Sequence, residues 1–241
     1  MNDINYWQSK FEPCHYSNQL IELLSELNKE VSQPVDILEI TKAIYYARKY
    51  HGTQLRKSGH PYYYHPIAVS LLFSEYVGTN IPQYYTTNLV IVAILHDCIE
   101  DTTLTKEKIS EIFGEVVSSQ VEDLTRIKNG IKITAADTLD ILYSQGKDDV
   151  LHIKLFDRLH NMQTIDAMSA EKQQKIAYET ESHFIPYARL FKLYDVAEEL
   201  EQICNGITKP RYRISFNTNE LSEIIQNTSD NTNEPIAIRS M

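Results

Sequence analysis

The chain has 241 residues, a formal net charge of −10, only seven glycines and eight prolines, and 42% hydrophobic residues. Such a length buries one well-formed domain, and the scarcity of turn residues with apolar positions every three or four favours an all-helical body over a turn-rich β fold. The acidic balance excludes wrapping a nucleic-acid polymer, whose affinity comes from Lys and Arg on phosphates, but leaves room for a small phosphorylated ligand at a local basic cluster.

Residues 1–35 carry Leu20, Leu23, Leu24, Leu27 and Val31 at helical spacing, which predicts a packing helix with no chemistry in it. Asp36-Ile-Leu-Glu39 has the capping-box pattern, and Ile37, Ile40, Ile44 and Ala47 continue as an apolar stripe to a stop at His51-Gly52. The stretch Gln54-Leu-Arg-Lys-Ser-Gly-His-Pro-Tyr-Tyr-Tyr-His65-Pro66 reads as a loop, with Pro66 suited to the first position of a helix that ends near Gly78. Taken alone, Arg56 and Lys57 read better as an ordinary solvated loop pair than as ligand contacts, and His65 reads equally as a structural histidine or as part of a site.

A buried run, Leu89-Val-Ile-Val-Ala-Ile-Leu95, then leads into His96-Asp97-Cys98-Ile99-Glu100-Asp101-Thr102. If the helix runs on, His96 and Glu100 share one face, and Asp97 and Asp101 form a second stripe about 100° round. Two readings stay open: solvated acids at a helix end, or stripes converging on a divalent cation that suits imidazole and carboxylate. Thr105 is a candidate N-cap for a short helix to Phe113-Gly114, and Val116–Ile127 reads as another helix. Lys128-Asn-Gly-Ile-Lys reads as a polar connection, and Thr134–Gln145 as a helix closed by Gly146.

From Asp148 to Thr164 a helix would bury Leu151, Leu155, Leu159 and Met162 and gather Ile153, Asp157, Asn161 and Thr164 on another face. Asp157 either pairs with Arg158 or Lys154 or lines a polar site. Lys172–His183 leads into Ile185-Pro186, where a helix should kink or restart, and Asp195–Cys204 reads as a last helix with Gly206 as its stop. From Pro210 the chain turns polar, and the expectation is a tail that is mobile or partly helical. Cys14, Cys98 and Cys204 give neither a disulfide framework nor a Cys-based zinc site, and no segment approaches the ~18 apolar residues of a membrane span. The start, Met1-Asn-Asp-Ile-Asn, lacks a secretion signal, so the expected location is cytoplasmic.

Three stretches in order, Gln54-x-Arg-Lys-Ser-Gly-x-Pro-Tyr-x-x-His65-Pro66, His96-Asp-x-x-Glu-Asp-Thr102 and Ile153-Lys-Leu-x-Asp157-Arg-Leu-His-Asn-Met-x-Thr164, closely resemble the hydrolase domain of RelA/SpoT-type alarmone enzymes. The resemblance covers residues 36–205 and implies an all-α, HD-type bundle of about eight to eleven helices, with domain limits 1–35, 36–206 and 207–241. It implies removal of the 3′-pyrophosphate of guanosine tetra- or pentaphosphate with a bound Mn2+ ion. Carried over by position, His65, His96, Asp97 and Asp157 become metal ligands, and Glu100 and Asp101 the groups that orient or activate water. Arg56, Lys57 and Ser58 match the loop that meets the nucleotide, the arginine stacking on guanine, and Asn161 and Thr164 match positions facing ribose and base. Two imidazoles and two carboxylates leave about two places in an octahedral shell, for water and a phosphate oxygen.

The chain departs from the family pattern in several places. His60 stands where an acid is usual, Ala135–Tyr143 lacks the Glu-Asn and Arg-Lys signature, and Pro186-Tyr-Ala-Arg-Leu-Phe-Lys192 replaces Pro-Leu-Ala-Asn-Arg-Leu-Gly. The chain stops soon after the hydrolase region, so the expectation is a stand-alone hydrolase acting on a small guanine nucleotide, with no polymer or membrane partner. The alternatives are a phosphatase acting on NADPH and an alarmone-binding regulatory fragment without turnover.

Overall fold

The computed structural model describes residues 6–128 and 131–209, the side chain of Lys128 excepted. The polar tail expected from Pro210 lies outside the described residues. The helices run in the order α1 (His15–Glu30), α2 (Ile37–His51), α3 (Tyr64–Asn80), α4 (Thr87–Leu95), α5 (Cys98–Asp101), α6 (Lys106–Phe113), α7 (Glu115–Leu124), α8 (Ala135–Ser144), α9 (Asp148–Gln163), α10 (Ala170–Glu179), α11 (Ile185–Leu190) and α12 (Tyr194–Thr208). Between α7 and α8 a two-residue strand β1 (Ile127–Lys128) pairs antiparallel with β2 (Ile131–Lys132).

Two helices form the centre. Every residue of α4 from Leu89 to Leu95 is buried, and α9 is buried from Val150 to His160, charged residues included. Around them, α2, α3 and α7 pack against α4, α3 and α8 pack against α9, and α1 lies against α3. The bundle is closed by α10, α11 and α12, of which α12 also meets α9. An all-round apolar helix such as α4 is stable only in the middle of a bundle, and this position fixes where the polar residues just after it must sit.

Side-chain caps set several helix starts, among them those at Asp36 and Thr105 expected from the sequence. The Asp36 carboxylate accepts from the N–H groups of Leu38 and Glu39, Thr86 from Leu89, Thr105 from Lys108 and Thr134 from Asp137. At Asp36 the reciprocal half of the box is replaced, because Glu39 pairs with Lys42 instead.

Four expectations are corrected. α3 begins at Tyr64 and places Pro66 at its third residue, which still needs no intrahelical N–H. α7 stops at Leu124, where Thr125 turns extended, so the segment expected to end a helix at Ile127 begins the small hairpin. α10 and α11 form one run through a π turn at Thr180–Phe184, which absorbs the N–H missing at Pro186 without a break. α12 continues through Gly206 to Thr208.

Candidate metal centre

The helix expected to carry His96 and Glu100 on one face does not run through them. α4 ends at Leu95, His96 and Asp97 form a turn, and α5 is a single turn of four residues. That break removes the i, i+4 relation, so His96 and Glu100 look at different neighbours.

His96 faces α9 and the start of α3. Its Nδ1 lies 2.8 Å from the Ala93 carbonyl oxygen, which can only accept, so Nδ1 carries a proton and Nε2 is the atom turned to the cluster. His65, the second residue of α3, has Nδ1 2.7 Å from His160 Nδ1 and likewise turns Nε2 inward, 3.1 Å from Asp157 Oδ1. His96 Nε2 lies 3.7 Å from the same Asp157 oxygen. One ligand atom each from His65, His96 and Asp157 lies within 4.8 Å of the others, and all three residues are buried. Asp97 stands beside this trio and shows a different oxygen to each ring: Oδ1 is 3.2 Å from His96 Nε2 and Oδ2 3.6 Å from His65 Nε2.

The donors fit a divalent cation. His96 Nε2 is buried with no hydrogen-bond partner although two carboxylates lie nearby, which leaves this atom to an ion that displaces its proton. Burial disfavours a charged His96, yet Asp97 and Asp157 overcome this and raise its pKa to about 10. Burial likewise opposes ionised Asp97 and Asp157, but the charges of His96 and Lys154 respectively hold both well below the usual carboxylate range. The cluster is therefore two anions demanding positive charge, which a metal supplies in exchange for a proton.

Of the pairings expected for Asp157 the one with Lys154 is made, and the two carboxylate oxygens have different neighbours. Oδ2 accepts from the buried Lys154 ammonium at 2.9 Å, while Oδ1 faces the imidazoles and accepts from Asn161 Nδ2 at 2.7 Å. Arg158 turns away, pairing with Glu179 at 2.6 Å over the Phe184 ring.

The expected nucleotide residues divide into two groups. Arg56 Nη2 donates to Asn161 Oδ1 at 2.8 Å, so Arg56, Asn161 and Asp157 form one chain of contacts, and Arg56 Nη1 is buried and unpartnered. Lys57 and Ser58 are exposed, with Ser58 Oγ 3.1 Å from Nδ1 of the exposed His60. Thr164 Oγ1 donates to the His160 carbonyl oxygen at 2.9 Å, a bond that closes α9. The two expected catalytic acids also differ. Asp101 is exposed, and its Oδ2 accepts from the Tyr62 hydroxyl at 2.6 Å. Glu100 is buried against Arg126, with Nη2 to Oε1 at 2.6 Å, and Lys132, with Nζ to Oε1 at 2.9 Å.

Sequence reading does not single out Tyr62, His160, Lys154 or Arg126 as parts of the site. Tyr62 reaches both Asp101 and Asp97, the latter at 3.1 Å, and its ring stacks on His51 at 4.7 Å. The signal available for it is the tyrosine three residues before His65 in the loop motif.

A family model described as HD domain matches residues 43–190. A GTP pyrophosphokinase of Brucella ovis is 34% identical over 198 residues, covering 80% of this chain and 25% of that protein. A probable guanosine-3′,5′-bis(diphosphate) 3′-pyrophosphohydrolase of Synechocystis is 34% identical over 205 residues, covering 79% and 26%. The chain thus spans about a quarter of the length of these curated relatives. A solved structure described as a metazoan ortholog of SpoT that hydrolyses ppGpp superimposes with a TM-score of 0.55 at 20% identity, covering 68% of this chain and 93% of that one. At that identity the likeness speaks for a shared fold. With the family model matching more than half of its length, this chain belongs to the HD domain family.

Proposed function

We propose that this chain is a Mn2+-dependent pyrophosphohydrolase that converts ppGpp or pppGpp to GDP or GTP and pyrophosphate. One observation carries the reading: His65, His96 and Asp157 converge to within 4.8 Å, with Asp97 alongside and the buried His96 Nε2 left without a partner. The activities named for the Synechocystis relative and the metazoan protein, and the order of the three motifs, support the substrate class.

His65, His96, Asp97 and Asp157 would hold the ion. When bound, a divalent cation acidifies water and neutralises charge on phosphate oxygens. Asp101, exposed and hydrogen-bonded by the Tyr62 hydroxyl, would take the water proton. Arg56, fixed by Asn161 to the same helix that carries Asp157, offers a planar cation for a purine face, and its unpartnered Nη1 remains available to the ligand. Lys57, Ser58 and Thr164 are proposed as the rim of the nucleotide site.

Incubation with ppGpp and each of several divalent metals, with the products identified, tests the reading. Pyrophosphate and GDP are expected with Mn2+. Asp97→Ala loses metal binding and turnover, whereas Glu100→Ala loses turnover and keeps the metal. Phosphate released from NADPH with no pyrophosphate from ppGpp would overturn the substrate, and tight ppGpp binding with no product would overturn the activity.

A further inference from the structure

Two cations from the small hairpin meet on one buried acid. Arg126 directly precedes β1, and the Ile133 N–H donates to its carbonyl oxygen at 2.8 Å, closing the strand pair at this residue. Arg126 Nη2 lies 2.6 Å from Glu100 Oε1, while its Nε and backbone N–H lie 3.3 and 3.1 Å from Oε2. Lys132 Nζ lies 2.9 Å from Oε1. The Glu100 side chain is 6% exposed, against 36% for Arg126 and 61% for Lys132.

The arrangement is one-sided. The carboxylate is saturated, whereas the guanidinium keeps an open face, and Nη1 makes no hydrogen bond among the described residues. A carboxylate this buried needs a positive partner, and three bonds to one guanidinium with a second cation beside it fix that guanidinium in place as well. The position bears on the cluster, because Glu100, which holds the guanidinium, lies on the single-turn helix α5 that Asp97 caps, so the cation is tied to the segment carrying His96 and Asp97. Burial opposes ionisation of Glu100, but hydrogen bonds from Arg126 and Lys132 outweigh it and hold the carboxyl below its ordinary value. A carboxylate so held is a poor acceptor for a proton from water.

We propose that Arg126 is a catalytic residue whose guanidinium contacts the oxygens of the phosphoryl group under attack, and that Glu100 is a positioning residue acting through it. This rests on the pyrophosphohydrolase reading. In that reaction the water oxygen bonds to the phosphorus attached to O3′, and the P–O3′ bond breaks. One water proton ends on O3′, giving the 3′-hydroxyl, and the pyrophosphate departs with the new P–O bond. Negative charge gathers on the non-bridging oxygens, to which a planar fork of N–H donors is matched, and Asp101 is left as the acceptor of the water proton.

Wild type, Arg126→Met, Arg126→Lys, Glu100→Gln and the Arg126→Met/Glu100→Gln double variant are compared for kcat and KM on ppGpp with Mn2+. Affinity of the Mn2+-loaded proteins for inorganic pyrophosphate is measured by calorimetry, and melting curves select folded variants. Arg126→Met is expected to lower kcat about 100-fold with a much smaller change in KM, to weaken pyrophosphate binding about tenfold by the loss of a charge-assisted contact, and Arg126→Lys to recover part of each. Glu100→Gln should cost no more than Arg126→Met and add nothing to it in the double variant. Losses that multiply in the double variant, or undiminished kcat in Arg126→Met, overturn the proposal. Absence of pyrophosphate release by the wild type would instead sink the hydrolase reading. The pyrophosphate arm then decides for Arg126 alone: unchanged affinity overturns the contact and weakened affinity upholds it.

Discussion

Lys154→Met tests how the charge of Asp157 is balanced. The Lys154 side chain is 6% exposed and that of Asp157 10%, and the ammonium bonds Oδ2 while Oδ1 faces the two imidazoles. Methionine keeps an unbranched apolar stem out to Cε and deletes the ammonium, its charge and its hydrogen bond to Oδ2 together. Without a metal, Asp157 becomes a buried anion stripped of its partner, a change that costs about 3–5 kcal/mol. With a divalent cation beside Oδ1 the charge is still met, and only a hydrogen bond to Oδ2 is missing, which costs about 1–3 kcal/mol. The difference of about 2 kcal/mol must reappear as metal affinity, so the variant should bind Mn2+ about 30-fold more tightly than wild type. In a domain of this size, where 1 kcal/mol moves Tm by about 2–4 °C, the metal-free Tm should fall by about 10 °C and the metal-loaded one by about half as much. Scanning calorimetry with and without Mn2+, joined to a metal titration, reads both quantities. Equal Tm losses in the two states, or weaker Mn2+ binding, would refute the placement of the ion at Asp157.

Two further outcomes follow from single residues. Lys192, standing where the resembled family carries glycine, has φ of 61° at the end of α11, and the Leu193 N–H donates to the Ala188 carbonyl across it at 2.8 Å. A side chain is strained there, so Lys192→Gly should raise stability by about 0.5–1 kcal/mol once the greater freedom of glycine in the unfolded chain is subtracted; a lower Tm in thermal melts would contradict this. Burial, followed by the charges of His65 and Arg56, lowers the His160 pKa to about 3. The unfolded chain therefore binds a proton near pH 6.5 that the folded chain refuses, so the stability His160 contributes is complete above that pH and declines as pH falls towards 3. Between pH 7 and pH 5 this amounts to about 2 kcal/mol, and His160→Asn should flatten the fall in Tm over that interval; an unchanged slope would assign the acid sensitivity elsewhere.

What is legible in one sequence is whatever a single element can encode. Apolar spacing and cap residues mark α1 to α4 and α8 to α9 because burial of a stripe and satisfaction of end N–H groups are local demands, met at Leu24, Asp36, Thr86 and Leu151. The candidate ligands stand out for the related reason that His96 and Asp97 directly follow the buried apolar run of α4 and Asp157 sits in the buried stretch of α9, where an unpaired charge is too costly to be incidental. The partners of those residues come from elsewhere in the chain. Arg56 meets Asn161 across 105 positions and His65 meets His160 across 95, separations that no periodicity records. The same limit explains Glu100. Helical extrapolation places it beside His96, but the turn at His96–Asp97 aims it at Arg126, whose own location depends on α7 ending at Leu124. Two adjacent acids that look alike in sequence therefore have opposite surroundings, Asp101 open to water under a tyrosine hydroxyl and Glu100 buried beneath two cations, a difference that only the fold of the turn and the hairpin creates.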